Sequence, residues 1–228
     1  MKRTLEPEAM EGEEADAYVE SVTNPHLEQL DESFVNHALR LNRYPALVLD
    51  VGSGPAQIPL RIAVKTNASA IVCADVSMRM VELARKRIIE SLATALFFIV
   101  RCDAKNLPFR SNIFDLTLCN STLHHLRDPL HALNEIARVS KESESAVLIR
   151  DLRRPVSMLF NLHAGFYGRH YHGRMRELFT LSLKAALNGR ELKRLLKKSK
   201  LTGCRFFQKG LSHIGIERQP RLNPMESS

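Results

Sequence analysis

The sequence has no apolar run long enough to span a bilayer, no cysteine framework and no apolar stretch near its N-terminus. A membrane-spanning helix needs about 20 mostly apolar residues, so no such helix is expected. The opening Met1-Lys-Arg-Thr-Leu-Glu-Pro-Glu8 gives no sign of a signal peptide. The four cysteines, Cys73, Cys102, Cys119 and Cys204, are scattered and never fall in a Cys-x-x-Cys pair. That spacing excludes a disulfide scaffold and points to a reducing compartment, so a cytoplasmic location is expected. Cys73, Cys102 and Cys119 lie inside apolar runs and read as small buried hydrophobes. His163, His170 and His172 lack cysteine or acidic companions, so no metal site is expected. No internal repeat is present, and 228 residues can bury a substantial core in one compact unit.

Against these absences stands a constellation of apolar runs that end in polar residues. Leu47-Val-Leu-Asp50 leads into Val-Gly52-Ser53-Gly54-Pro-Ala56, a glycine-punctuated turn before a helix-compatible segment. Glycine at 52 and 54 lets the chain turn sharply and lets a ligand approach without meeting a Cβ atom. Ala70-Ile-Val-Cys-Ala-Asp75 follows, and then Val76-Ser77-Met-Arg-Met80, where Ser77 can cap a helix. Ala95 to Asp103-Ala104 forms a third strand, and Phe114 to Asn120-Ser121 a fourth that runs into Leu123-His124-His125. Four strands ending in polar residues at one edge make a rim where open α/β sheets bind ligands.

The glycine turn also lacks things. A dinucleotide fingerprint requires a third glycine where Gln57 stands, and neither a Gly-Lys-Ser/Thr element nor any lysine is there to hold phosphates. A ligand with adenosine but no phosphate fits better. At this point the sequence resembles the class I S-adenosylmethionine-dependent methyltransferases, in particular the type-11 group that includes ubiquinone and menaquinone biosynthesis enzymes. The matching residues are Asp50-Val-Gly52-Ser-Gly54-Pro-Ala56, Asp75-Val-Ser77-Met-Arg-Met80, Asp103-Ala104 with Leu107-Pro108-Phe109, and Asn120-Ser-Thr-Leu-His124-His125-Leu-Arg-Asp128-Pro129. They cover residues 45 to 152 well and the remainder loosely.

The resemblance implies an α/β, Rossmann-like, seven-stranded, mostly parallel sheet with helices on both faces and an antiparallel last strand. It implies S-adenosylmethionine as cofactor: Asp50, Gly52, Ser53 and Gly54 at the methionine part, Asp75 with Val76 and Met80 at the ribose side, Asp103 and Ala104 at the adenine edge, and Asn120 beside the sulfonium. It further implies in-line methyl transfer to a small-molecule acceptor. If that acceptor is a hydroxyl or a phenol a base helps, and His125 or His124 is the best-placed candidate. Arg150, Arg153 and Arg154, at the end of the fifth strand, could bind an anionic acceptor. Simpler readings stand beside these. Asp50 or Asp103 also fits a helix cap, either histidine fits a capping or packing role, and the arginines could pair with Asp151 or the acidic head. Two positions depart from the family pattern: Ala56 replaces the third glycine, and Lys141-Glu-Ser-Glu-Ser145 replaces a Pro-Gly-Gly turn.

Charge is spread unevenly, at −8 over residues 1–34, +4 over 35–149 and +12 over 150–228. Residues 1–44 read as an acidic arm, a solvated leader or a cover for the active site or the basic tail, that leads into a helix near His26 to Leu41. Residues 45–228 read as the single catalytic domain, with 152–188 a helical insertion that walls the substrate. Asn188-Gly-Arg-Glu191 is a capping box, and Cys204–Lys209 with His213–Arg218 closes the sheet as a hairpin around Gly210. The basic, aromatic-bearing tail raises RNA as an alternative acceptor. Against it, Asn120-Ser-Thr-Leu stands where base-nitrogen methylating enzymes carry Asn-Pro-Pro-Tyr, and no separate RNA-binding domain is present. A non-catalytic cofactor-binding protein is the third reading. Oligomeric state is not legible.

Overall fold

A computed structural model describes residues 2–20, 24–91 and 93–221. The strands are β1 (Leu47–Val51), β2 (Ala70–Asp75), β3 (Leu96–Arg101), β4 (Leu116–Asn120), β5 (Ala146–Leu152), β6 (Arg205–Lys209) and β7 (His213–Arg218). They form one sheet in the order β3-β2-β1-β4-β5-β7-β6. β7 runs antiparallel to both neighbours and every other pair is parallel, as the sequence led us to expect. The inner strands β1, β2, β4 and β5 are continuous apolar runs because both sheet faces are covered.

Alternation along β1 sends Val48 and Asp50 to one face and Leu49 and Val51 to the other. On the first face lie α2 (Pro25–Leu41), α3 (Gln57–Lys65) and α4 (Met78–Glu90); on the second lie α5 (Pro129–Val139) and α8 (Gly189–Lys198). The face of α2 that packs down is set by Phe34, Val35, Ala38 and Leu41, at helical spacing and all buried. Asn24 caps it by accepting from the His26 amide, and Pro25 occupies the first turn, where a missing N–H costs nothing. Leu116, Leu118 and Leu148 meet that face from the sheet and are fully buried, each such side chain contributing about 1.5–3 kcal/mol.

The insertion after β5 consists of a 3-10 turn (Ser157–Leu159), α6 (Phe160–Gly168) and α7 (Gly173–Ala185). Phe160, Tyr171, Phe179 and Leu183 form a small core of their own, closed from α2 by Leu27. The capping box at Asn188 is formed: its side chain accepts from the Arg190 and Glu191 amides, and Glu191 accepts from the Asn188 amide. The unusual Lys141–Ser145 turn is latched from β7, where Arg218 donates to the Lys141 carbonyl at 2.8 Å and to Ser145 Oγ at 2.6 Å. Among the described residues no helix is long and apolar enough to cross a membrane.

The acidic head departs from the solvated leader that its composition suggests. It forms α1 (Gly12–Glu20), which packs on α7 and α4, preceded by an extended arm laid across the carboxyl edge of the sheet. Arg3 donates to the carbonyls of Ala185, His124, Leu126 and Leu123, and the Thr4 amide to that of Lys184. Part of the negative charge is matched locally: Glu8 pairs with Lys105 at 2.6 Å and the exposed Asp16 with Arg79 at 2.8 Å.

Candidate active site

The strand order reverses between β1 and β4, which opens a crevice at their carboxyl ends. Asp50 closes β1 on the α2 side and is 1 % exposed. Its Oδ1 has no hydrogen-bond partner. Burial, reinforced by the nearby carboxyls of Asp75 and Asp31, pushes it up to about 8. Among the described residues, no lysine or arginine forms an ion pair with it. The turn that follows is held by the Gly52 and Ser53 amides, both donating to the Ala74 carbonyl at 2.8 and 3.1 Å. Gly52 has φ +71°, and a Cβ there would stand 2.2 Å from Thr122 Oγ1, so no other residue fits. Gly54, at φ +52°, faces open space in the crevice. Ala56 adopts φ +63°, where an L-residue costs about 1–2 kcal/mol, and buries its methyl against Cys73 and Ala84.

Asp75 ends β2 one step further along the rim. Its Oδ2 accepts from the Gly54 amide at 2.8 Å and its Oδ1 from the Ser77 amide at 2.9 Å. Burial lifts its carboxyl above the usual range despite those hydrogen bonds. The Val76 amide also donates to this carboxylate, so the three amides orient it at the rim beside the glycine turn. Ser77 caps α4 through the Met80 amide, which fixes Val76 and Met80 at the crevice wall. Asp103 and Ala104 follow β3, with Asp103 accepting from the Lys105 amide at 2.8 Å. Asn120 ends β4 and its Oδ1 accepts from Arg150 Nε at 3.1 Å. All the residues that the sequence assigned to the cofactor therefore line one cleft.

The other end of the cleft holds His124 and His125. His124 Nδ1 lies 2.6 Å from Asp151 Oδ1, and the His124 amide donates to Asp151 Oδ2 at 2.9 Å. Burial opposes the imidazolium, but the charge and hydrogen bond of Asp151, then Glu6, outweigh it and hold His124 above its ordinary value. His125 is pulled the other way, to about 3, by burial and then by its neighbour His124. Glu6 reaches in from the arm, with Oε1 3.5 Å from His124 Nε2 and 3.3 Å from His125 Nδ1. Leu27, Leu30, Tyr171, Met175, Leu178 and Phe179 make the wall beside them apolar.

The three arginines divide. Arg150 borders the cleft but is buried, donating to Ser33 and the Leu30 carbonyl and lying 4.8 Å over the Phe34 ring. It ties α2 to the sheet. Arg154 is 4 % exposed, bonded to the Ala186 carbonyl and Glu191, and lies outside the cleft wall, as does Arg153. The guanidinium of Arg150 is held toward α2 and that of Arg154 toward Ala186 and α8, so neither is free to meet an acceptor. Tyr18 and Asp31, which line the cleft, and Glu6 and Asp151, which contact the histidines, are the site residues that sequence reasoning missed. Asp151 carried the same signal as Asp50 and Asp75, an acid closing an apolar strand; Glu6 and Tyr18 carried none.

Residues 49–148 match the family model described as a methyltransferase domain. This segment is a type-11, class I methyltransferase domain. A malonyl-[acyl-carrier protein] O-methyltransferase of Geobacter sulfurreducens is 34% identical over 95 residues, 42% of this chain and 34% of that protein. A ubiquinone/menaquinone biosynthesis C-methyltransferase of Idiomarina loihiensis is 29% identical over 121 residues, 53% of this chain and 48% of that protein. The chain thus spans less than half the length of these relatives. In fold, it is similar to a plantazolicin methyltransferase solved with S-adenosylhomocysteine, at TM-score 0.68 and 16% identity, covering 91% of this chain and 89% of that one. A protein of Methanococcus maripaludis matches over 99% of this chain and 100% of its own, at TM-score 0.67 and 18% identity. The cleft fits the cofactor of this domain class: a buried carboxylate oxygen with no partner suits a cationic end, and Gly54 leaves room beside it.

Proposed function

We propose that this protein transfers a methyl group from S-adenosylmethionine to an apolar small molecule bearing an ionisable hydroxyl. The observation that carries the reading is Asp50, a buried carboxyl whose Oδ1 has no partner, at the floor of a glycine-lined cleft in a methyltransferase domain. When bound, the cofactor supplies an electrophilic methyl on a sulfonium. Asp50 holds the cationic end of the methionine part, Asp75 accepts from the two ribose hydroxyls, Asp103 and Ala104 border the adenine, and Asn120 stands by the sulfur. Alignment and exclusion of water supply most of the catalysis in such a displacement.

At the other end, Asp151 fixes His124 in the tautomer with Nδ1–H, so Nε2 is the atom that takes the proton of an acceptor hydroxyl. The apolar wall from Leu27 to Phe179 supports an acceptor with a flat or aliphatic body. The relatives named for ubiquinone/menaquinone biosynthesis and for malonyl-[acyl-carrier protein] suggest the first compounds to screen. The test has two stages. Calorimetry with S-adenosylhomocysteine should give micromolar binding that Asp75→Ala abolishes. Methyl transfer from labelled cofactor to phenols, reduced quinones and acyl thioesters should then show turnover with at least one class and loss of it in His124→Gln. Absence of cofactor binding by the wild-type protein would sink the reading.

A further inference from the structure

Glu6 presents a half-buried carboxylate that pairs with no lysine or arginine among the described residues. Its partners are the two histidines and the Ser182 hydroxyl, which donates at 3.1 Å. Arg3 lies nearby, but its guanidinium is committed to four backbone carbonyls. A carboxylate so placed calls for a cation between itself and the imidazoles. The candidate cations are a proton and a metal ion.

The distances suit the second. Glu6 Oε1 stands 3.3 Å from His125 Nδ1 and 3.5 Å from His124 Nε2, and one donor atom from each residue lies within 4.8 Å of the others. His125 Nδ1 also lies 3.3 Å from the Pro7 carbonyl, so it becomes a ligand by giving up the proton it shares with that oxygen. Ligand atoms about 2.0–2.2 Å from a tetrahedral zinc ion are about 3.3–3.6 Å apart. His124 Nδ1, 2.6 Å from Asp151, has the outer carboxylate that typically orients a metal-binding imidazole and leaves its Nε2 bare. Both histidines border the cleft, so a fourth coordination position would open toward it.

We propose that Glu6, His124 and His125 form a divalent transition-metal site of the zinc type, which fixes the N-terminal arm on the cleft when filled. Two imidazoles with one carboxylate select first-row transition ions over magnesium or calcium, which take oxygen ligands. Glu6 belongs to the arm, whereas the histidines follow β4. A bound ion therefore joins the two and restricts passage in and out of the cleft. Proton and metal compete for His124 Nε2, so filling the site releases a proton and removes that atom from acid–base use. Metal binding needs neither cofactor nor acceptor, and it is tested without reference to methyl transfer.

The experiment uses tag-free, metal-stripped, full-length protein titrated with Zn²⁺ by calorimetry and with Co²⁺ by visible absorption. One ion per chain is expected, with a tetrahedral Co²⁺ spectrum. Glu6→Gln and His125→Asn should each weaken binding at least about tenfold, the scale seen for damage to metal sites. Both lie on the arm or a loop, and circular dichroism will verify their folding. Backbone amides of the arm should exchange more slowly with Zn²⁺ present. Absence of stoichiometric binding by the wild-type protein overturns the proposal. So does binding that either substitution weakens less than about tenfold, or that leaves arm exchange unchanged.

Discussion

If Asp50 holds the cationic end of the cofactor, binding must be coupled to loss of its proton. In the free protein burial and the adjacent carboxyls set it at about 8, so at neutral pH most molecules carry the neutral acid. Only the ionised fraction is competent to pair with an ammonium, and apparent affinity falls in proportion to that fraction. From about pH 7.5 to about pH 6 the fraction drops about 25-fold, equivalent to about 1.9 kcal/mol at 1.36 kcal/mol per unit. Below about pH 7.5 the cofactor's own amino group remains mostly charged, so the change reports the protein.

Calorimetry with S-adenosylhomocysteine in two buffers of different ionisation enthalpy measures both quantities at once. Binding should tighten about 25-fold over that pH range and release close to one proton per cofactor near pH 7. Asp50→Asn should bind about 10–100-fold more weakly at pH 7.5, the loss of a charge-assisted contact, with no pH dependence and no proton release. The same variant should leave the free protein at least as stable, since it removes a carboxyl raised by burial. Affinity that stays within threefold across the range, with equal heats in both buffers, would refute the assignment of Asp50.

Other perturbations separate fold from site. Gly52→Ala should lose about 2–4 kcal/mol by chemical denaturation, because its Cβ meets the Thr122 side chain in a left-handed conformation, whereas Gly54→Ala, facing open space, should lose only about 1 kcal/mol yet still bind cofactor poorly. Asp151→Asn should cost about 3–5 kcal/mol at pH 6, where both partners are charged, because it leaves His124 buried beside a neutral amide. The cost should shrink toward pH 9: the His124 contribution is complete below its ordinary value and is lost as pH rises through its raised folded value, while the lowered Asp151 contribution is lost only in acid. Arg3→Ala removes the donor to four carbonyls and should open the arm, seen as faster amide exchange at residues 4–11 with the sheet amides unchanged.

The sheet and its rim were legible because one rule governs them. A strand buried on both faces must be apolar until it leaves the core, so the first polar residue marks where it emerges, and in a parallel sheet all such ends lie on one edge. Asp50 and Asp75 obey that rule; Asn120 ends β4 after the buried Thr117, and Asp103 lies two residues past Arg101, the end of the edge strand β3, yet all four reach the cleft. Asp151 comes one residue after Arg150, the first polar residue of β5, and that arginine drew attention away although it is held under α2 by Ser33 and Leu30. What the rule cannot reach is any residue brought in from a distant segment. Glu6 sits over 110 residues from the histidines it meets, in a segment without apolar periodicity, and a run of acids reads as solvated unless its partners are known. Those partners, Lys105, Arg79, Arg174 and the two histidines, are spread over four separate loops and helices. Each faces the arm only after the sheet has brought the strand ends together. The acidic head is thus complementary to an edge that exists only in the folded domain, and its closure over the cleft follows from the same topology that placed the carboxylates there.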